Sequence, residues 1–180
     1  KRGEQTALNV QTEPRPVRTG RSISEWAPTC IGPYSQANML GGMHFQAGQI
    51  GLDPASMSLV TQSTTQNFQG EGTVENVALF AEALQAIKNC EAVLRCCESS
   101  PACVVSCVVF VNLPHAVPEA LARLKEIIAS WLHATAYADN AISFIVVPDL
   151  PRGAAIEILV TAVESHVLAA LGNEGRISPM

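Results

Sequence analysis

The sequence predicts an α+β domain, a mixed sheet covered on one face by two helices. Three observations carry that reading. Two stretches, one after Thr73 and one from Pro118, repeat apolar residues at helical spacing. Apolar, β-branched runs flank and separate them in the order β, β, α, β, α, β, β. Gly41-Gly42 joins the first two runs as a two-residue turn that tolerates positive φ and matches the twist of a hairpin.

Residues 1–25 mix Gly3, Pro14, Pro16 and Gly20 with Thr, Ser, Gln and Arg and show no sustained periodicity, so they read as a linker. The domain is expected over 26–164, with a C-terminal tail over 165–180. Strands are expected over Ala37–Leu40 and Met43–Gly48. A polar run from Val60 leads to Thr73 and Glu75, a cap and a first-turn acid, and so to a long helix. Its expected buried stripe is Val77, Phe80, Leu84, Ile87 and Leu94, with Ala83 and Cys90 alongside. Ser99-Ser100-Pro101 should stop it.

Ala102–Val111 is too apolar to be half-exposed and reads as a central strand. Pro118 starts the second helix, whose inner face is Leu121, Leu124, Ile128 and Trp131. Two more strands, Ile142–Val147 and Ala155–Val163, flank the turn Pro148-Asp149-Leu150-Pro151-Arg152-Gly153. Strands this apolar on both sides cannot all face water, so the uncovered sheet face predicts oligomerisation.

At 180 residues and 48% hydrophobic composition the chain can build one sizeable core. No apolar run approaches the ~18 residues of a membrane span, and no apolar signal core opens the chain, which predicts a cytoplasmic protein. A start at Lys1 rather than Met suggests a processed protein or a piece of a longer one. Residues 1–21 hold five of the eleven Lys and Arg against two of the sixteen acids, a surplus of +3, and the remainder carries −8. So acidic a body disfavours general nucleic-acid affinity. Cys30, Cys90, Cys96, Cys97, Cys103 and Cys107 make no C-x-x-C pair, so they read as free thiols in a reducing compartment, with Cys96 and Cys97 ending a helix and Cys103 and Cys107 on one strand face. No metal site is expected. Neither a Walker loop nor a G-x-G-x-x-G turn is present, and no nucleophile motif supports a Ser-His-Asp triad. His44, His115 and His133 have no partner at a telling spacing.

Trp26 and the run Ile31-Gly32-Pro33-Tyr34-Ser35-Gln36, followed by Ala47-Gly48-Gln49-Ile50-Gly51-Leu52-Asp53-Pro54, resemble the YjgF family of reactive-intermediate deaminases. The resemblance covers about Trp26 to Glu164 and is weaker around Thr61 to Gly72. It implies a chorismate-mutase-like fold, a trimer whose sheets pack into a central barrel, and small-molecule clefts between subunits. It implies no cofactor. Family members hydrolyse enamines and imines, using an arginine to grip the substrate carboxylate and a glutamate to activate or position water. Endoribonuclease activity has also been attributed to relatives.

Anchoring on Leu150-Pro151, the resemblance places the family acid at Glu157, the proposed catalytic residue, and puts Ile142 where the arginine belongs. No Arg or Lys lies between Lys125 and Arg152, and Arg152, in the turn, is a poor substitute clamp. Ala47 replaces a common serine. Glu157 reads either as a strand acid at the rim, satisfied by a backbone donor, or as a cleft carboxylate of raised pKa. Tyr34 corresponds to the family's cleft tyrosine, or packs beside Pro33. Gly48 and Gln49 line the same expected cleft, mainly by holding their strand close to a neighbouring chain. Losing the clamp removes a contact worth about 1.5–3 kcal/mol.

The detailed signature looks closest to YjgF-like domains appended to ATP-dependent amide ligases. That implies an accessory ligand-binding and assembly module, a homotrimer or one partnered by a sister domain. The alternatives are a deaminase with an altered substrate and an endoribonuclease.

Overall fold

The computed structural model describes residues 6–8, 27–60, 74–132 and 142–166. Trp26, the side chain of Val77, His133, the polar run 61–73 and the tail beyond 166 lie outside them. Seven strands, β1 (Thr6–Leu8), β2 (Ala37–Leu40), β3 (Met43–Gln46), β4 (Gln49–Ile50), β5 (Val104–Asn112), β6 (Ile142–Val147) and β7 (Ile156–Val163), form one sheet. Among the described residues two α-helices of more than one turn join them, α1 (Val74–Cys96) and α2 (Pro118–Leu132). The sheet order is β1-β2-β3-β7-β5-β6, with β4 also on β7. Among the described strands only β5 and β6 run parallel, across the α2 crossover. The α+β reading and the order of its elements hold, and β1 adds a strand within the segment read as a linker.

Gly41 and Gly42 sit at φ 60° and 79°, the left-handed pair that a twisted two-residue hairpin requires. The expected strand over Met43–Gly48 is split: Ala47 N–H bonds back to the Gln36 carbonyl, and pairing resumes at Gln49 against β7. The helix α1 ends on Glu98 at φ 53°, with Ser99 N–H bonded to the Leu94 carbonyl, a Schellman closure made without glycine.

Both helices lie on one sheet face over a core of Leu79, Ala83, Ala86, Cys90, Leu124, Ile128 and the inward residues of β5 and β7. On α1 the buried stripe is rotated from the expected one. Leu84 is 52% exposed, because Ala83, Ala86 and Cys90, all fully buried, let the helix approach the sheet closely on their side. On α2 the buried line is Ala120, Leu124, Ile128 and Leu132, with Leu121 and Trp131 at its margin. Trp131 Nε1–H donates to Glu91 Oε1 at 3.0 Å and ties the helices together. Cys103 belongs to a short 3-10 turn ahead of β5 rather than to the strand, and a register shift separates it from Cys107.

On the opposite sheet face Phe45 and Ile145 are each 43% exposed. No helix among the described residues is long and apolar enough to cross a membrane.

His44, on β3, is fully buried, and desolvation pulls its pKa below the usual 6.5 against the opposing Glu164 charge and Val163 backbone. The unfolded chain therefore takes up this proton first as pH falls. Stability should be full above about pH 6.5 and decline below it. His44→Phe should flatten that slope in urea unfolding between pH 7 and 5; an unchanged slope would assign it to other groups. Glu157, whose pKa is raised, acts with the opposite sign, lowering stability as pH rises through its range.

Candidate functional site

A cleft of about 40 Å³ opens where the 28–36 segment folds over β4 and the start of β7. Its wall includes Thr29, Cys30, Tyr34, Gln36, Gly48, Gln49, Pro151 and Glu157. The antiparallel register sets Ile50 opposite Glu157, and Phe110 opposite Glu157 from the other side. Alternation along β7 sends Ile156 and Ile158 into the core and Glu157 to the other face.

Glu157 lies directly over Gly48. A Cβ at position 48 would stand 1.7 Å from Glu157 Oε1, so this residue must be glycine for the carboxyl to rest there. Burial raises the Glu157 pKa above its usual value. Burial also raises that of Tyr34, and the Cys30 and Glu157 charges add to it against a bond from the Ile31 backbone. Burial does the same to Cys30. An acid moved toward neutrality beside a phenol and a thiol can exchange a proton with a bound ligand or water.

Gln49 Nε2 donates to the Ala47 carbonyl at 3.2 Å, and Thr29 Oγ1–H donates to Met57 Sδ at 3.2 Å. Gln36, 1% exposed, donates from Nε2 to the Pro28 carbonyl, which leaves its Oε1 as an acceptor without a partner. Behind this wall, Asn89 Nδ2 on α1 donates to the Ile50 and Leu52 carbonyls at 3.0 and 2.9 Å and holds β4 in place.

Tyr34, Gly48, Gln49 and Glu157 thus come together in one cleft. Ile142 and Arg152 do not join them. Ile142 pairs with Cys107 and packs toward the helix-covered core, three residues along β6 from Ile145, which is level with Phe110. That is about 10 Å of strand. Arg152, at φ 60°, donates from Nη1 to the Met57 carbonyl at 2.7 Å. It braces the loop that receives the Thr29 bond and is not among the residues that line the cleft.

Sequence reasoning gave no site role to Gln36, Cys30 or Thr29. The motif contained all three, but only the fold-back of 28–36 onto β4 reveals which of them face the cleft.

A model of the endoribonuclease L-PSP family matches residues 24–164. A 2-iminobutanoate/2-iminopropanoate deaminase of Mus musculus is 32% identical over 144 residues, which cover 80% of this chain and 90% of that protein. A diphthine–ammonia ligase of Schizosaccharomyces pombe is 45% identical over 56 residues, 31% of this chain and 8% of the ligase. Among solved structures, the Rid-family protein YyfA of Yersinia pestis superposes with a TM-score of 0.59 at 28% identity, covering 78% of this chain and 94% of that one. The fold, the cleft and these likenesses agree, and the chain belongs to the endoribonuclease L-PSP family, the YjgF/Rid family that its signature resembles.

Proposed function

We propose that the chain is an accessory ligand-binding and assembly domain of a diphthine–ammonia ligase, acting in the cytoplasm in diphthamide biosynthesis, without standard 2-imino-acid deaminase activity. The observation that carries this reading is a cleft built around Glu157 and Tyr34 whose lining holds no arginine among the described residues, in a chain where the resemblance puts Ile142 at the place of the family's carboxylate-binding arginine. The ligase likeness over 56 residues supports the parent protein. In that assignment the ATP-dependent amidation belongs to another domain.

Two features support assembly. The sheet face away from the helices carries exposed Phe45 and Ile145, an apolar surface that a homotrimer or a sister YjgF-like domain would cover. A cleft of about 40 Å³ holds a small head group and no more, whereas ligand sites usually exceed about 300 Å³. A neighbouring subunit would supply the remaining wall.

A second reading, a deaminase with an altered substrate, is favoured by Glu157 itself, whose raised pKa suits proton transfer, and by the mouse deaminase likeness. Endoribonuclease activity is disfavoured by the formal charge of −5.

The test generates 2-imino acids in situ with an amino-acid oxidase and compares keto-acid release by this chain, Glu157→Gln and Ile142→Arg. We expect no acceleration by the unaltered chain; activity gained in Ile142→Arg would mean that assembly brings position 142 of one chain to the cleft of another, since within one chain it packs toward the helix-covered core. Acceleration by the unaltered chain that is lost in Glu157→Gln would replace the accessory reading with the deaminase one.

A further inference from the structure

Three non-glycine residues among those described hold a positive φ: Met57 at 58°, Glu98 at 53° and Arg152 at 60°. Glu98 closes a helix, a common use of that conformation. Met57 and Arg152 lie in two separate loops beside the cleft, and they are bonded to each other: Arg152 Nη1–H donates to the Met57 carbonyl at 2.7 Å. Long side chains rarely accept the left-handed region, and such strain persists where the surroundings fix it, often around ligand sites. Glycine would serve both positions without strain, as Gly153 does at φ 68°. What glycine lacks is a side chain, and both side chains here are engaged.

Met57 Sδ accepts the Thr29 hydroxyl at 3.2 Å. Thr29 belongs to the 28–36 segment, which also brings Cys30 and Tyr34 to the cleft that holds Glu157. The body of Met57 packs against the cluster of Ile50, Leu52, Leu59, Leu150 and Ala154. Its loop is closed by Met57 N–H on the Asp53 carbonyl at 2.8 Å and by Asp53 N–H on the Ser58 carbonyl at 2.9 Å. A chain of contacts therefore runs from the turn before β7, through Arg152 and Met57, to Thr29. Neither Met57 nor Arg152 lines the cavity itself.

We propose that Met57 and Arg152 are positioning residues of the cleft, a latch that holds the 28–36 wall in place beside Glu157. The proposal rests on the reading of the cleft as the ligand site and assigns it the device that keeps it closed on one side. With the latch broken, Glu157, Tyr34 and Cys30 gain water, and the burial that raises all three pKa values lessens.

Two variants test it. Met57→Leu removes the acceptor of the Thr29 bond and keeps the bulk, and Arg152→Ala removes the brace. Each 180-residue chain is treated with iodoacetamide, and the alkylation of every cysteine is timed by peptide mass spectrometry. Cys30 is expected to react about threefold or more faster in each variant, the scale that loss of one hydrogen bond sets. The Glu157 carboxyl, followed by NMR, should titrate at lower pH than in the unaltered chain. Cys90, fully buried in the core, should keep its rate. Because the contacts act in series, the double variant should alkylate no faster than the faster single one. Unchanged Cys30 and Glu157 in both variants would overturn the latch. So would Cys90 accelerating in step with Cys30, which marks general destabilisation, or a double variant in which the two effects multiply. These readouts need no ligand, so failure of the ligand-site reading would leave the latch standing, and failure of the latch would leave that reading standing.

Discussion

Gly51→Ala is expected to lower the unfolding free energy by about 3–5 kcal/mol, a large share of the stability of a domain this size. A Cβ there would stand 2.6 Å from both Cα and Cβ of Glu82 and 2.8 Å from its Cγ. The obstacle is helix backbone, which no rotamer change removes. Neither side can retreat. Asn89 holds the carbonyls of Ile50 and Leu52, on either side of Gly51, and Glu82 Oε2 accepts the Ala155 N–H at 2.7 Å. Separating α1 from the β4 segment would break the two Asn89 bonds in a dry setting, each at a cost of about 1–3 kcal/mol, and moving the helix would strain the Glu82 bond to Ala155 as well. Urea unfolding checks the expectation, and a loss below about 1 kcal/mol would show that the helix can shift freely.

Three residues earlier, Gly48→Ala should do the opposite: little to stability and much to the site. Its Cβ would collide with the Glu157 carboxyl, the far end of a flexible side chain, so Glu157 would swing aside at a cost of about 1 kcal/mol. A displacement of an ångström or more from a preorganised position typically costs about 10²-fold in function. The measurable result is a Glu157 carboxyl that titrates at lower pH than in the unaltered chain, because it has left the buried position that raises its pKa, with the unfolding midpoint almost unmoved. A variant whose Glu157 titration is unchanged would show that the carboxyl does not rest over Gly48.

The pair shows which parts of the molecule were legible in advance. Local chemistry was: Gly41-Gly42 announced its turn, Pro118 its helix, and the β-branched run through Val111 its central strand. Glu157 was legible because strand alternation and the Leu150-Pro151 turn set its register. Leu84 was misplaced because a stripe drawn through the larger residues ignores the close approach that alanines permit. Two helical faces of similar hydropathy cannot be told apart without the sheet. The bond from Arg152 to Met57 joins residues 95 apart in sequence, and the orphaned oxygen of Gln36 exists only because the 28–36 segment folds back. Such facts belong to the assembled chain.

The strand that carries Glu157 also occupies the middle of the sheet, pairing with β3, β4 and β5, although it is the last of the described strands in sequence. During synthesis on the ribosome the earlier strands therefore emerge without the neighbour that joins them, and the two helices have only a divided platform to lie on. Closure must wait for β7. An incomplete product ending before Ile156 would lack both the seam of the sheet and the acid of the cleft. The domain consequently forms its cleft only once β7 has emerged, and until then exposes unpaired strand edges.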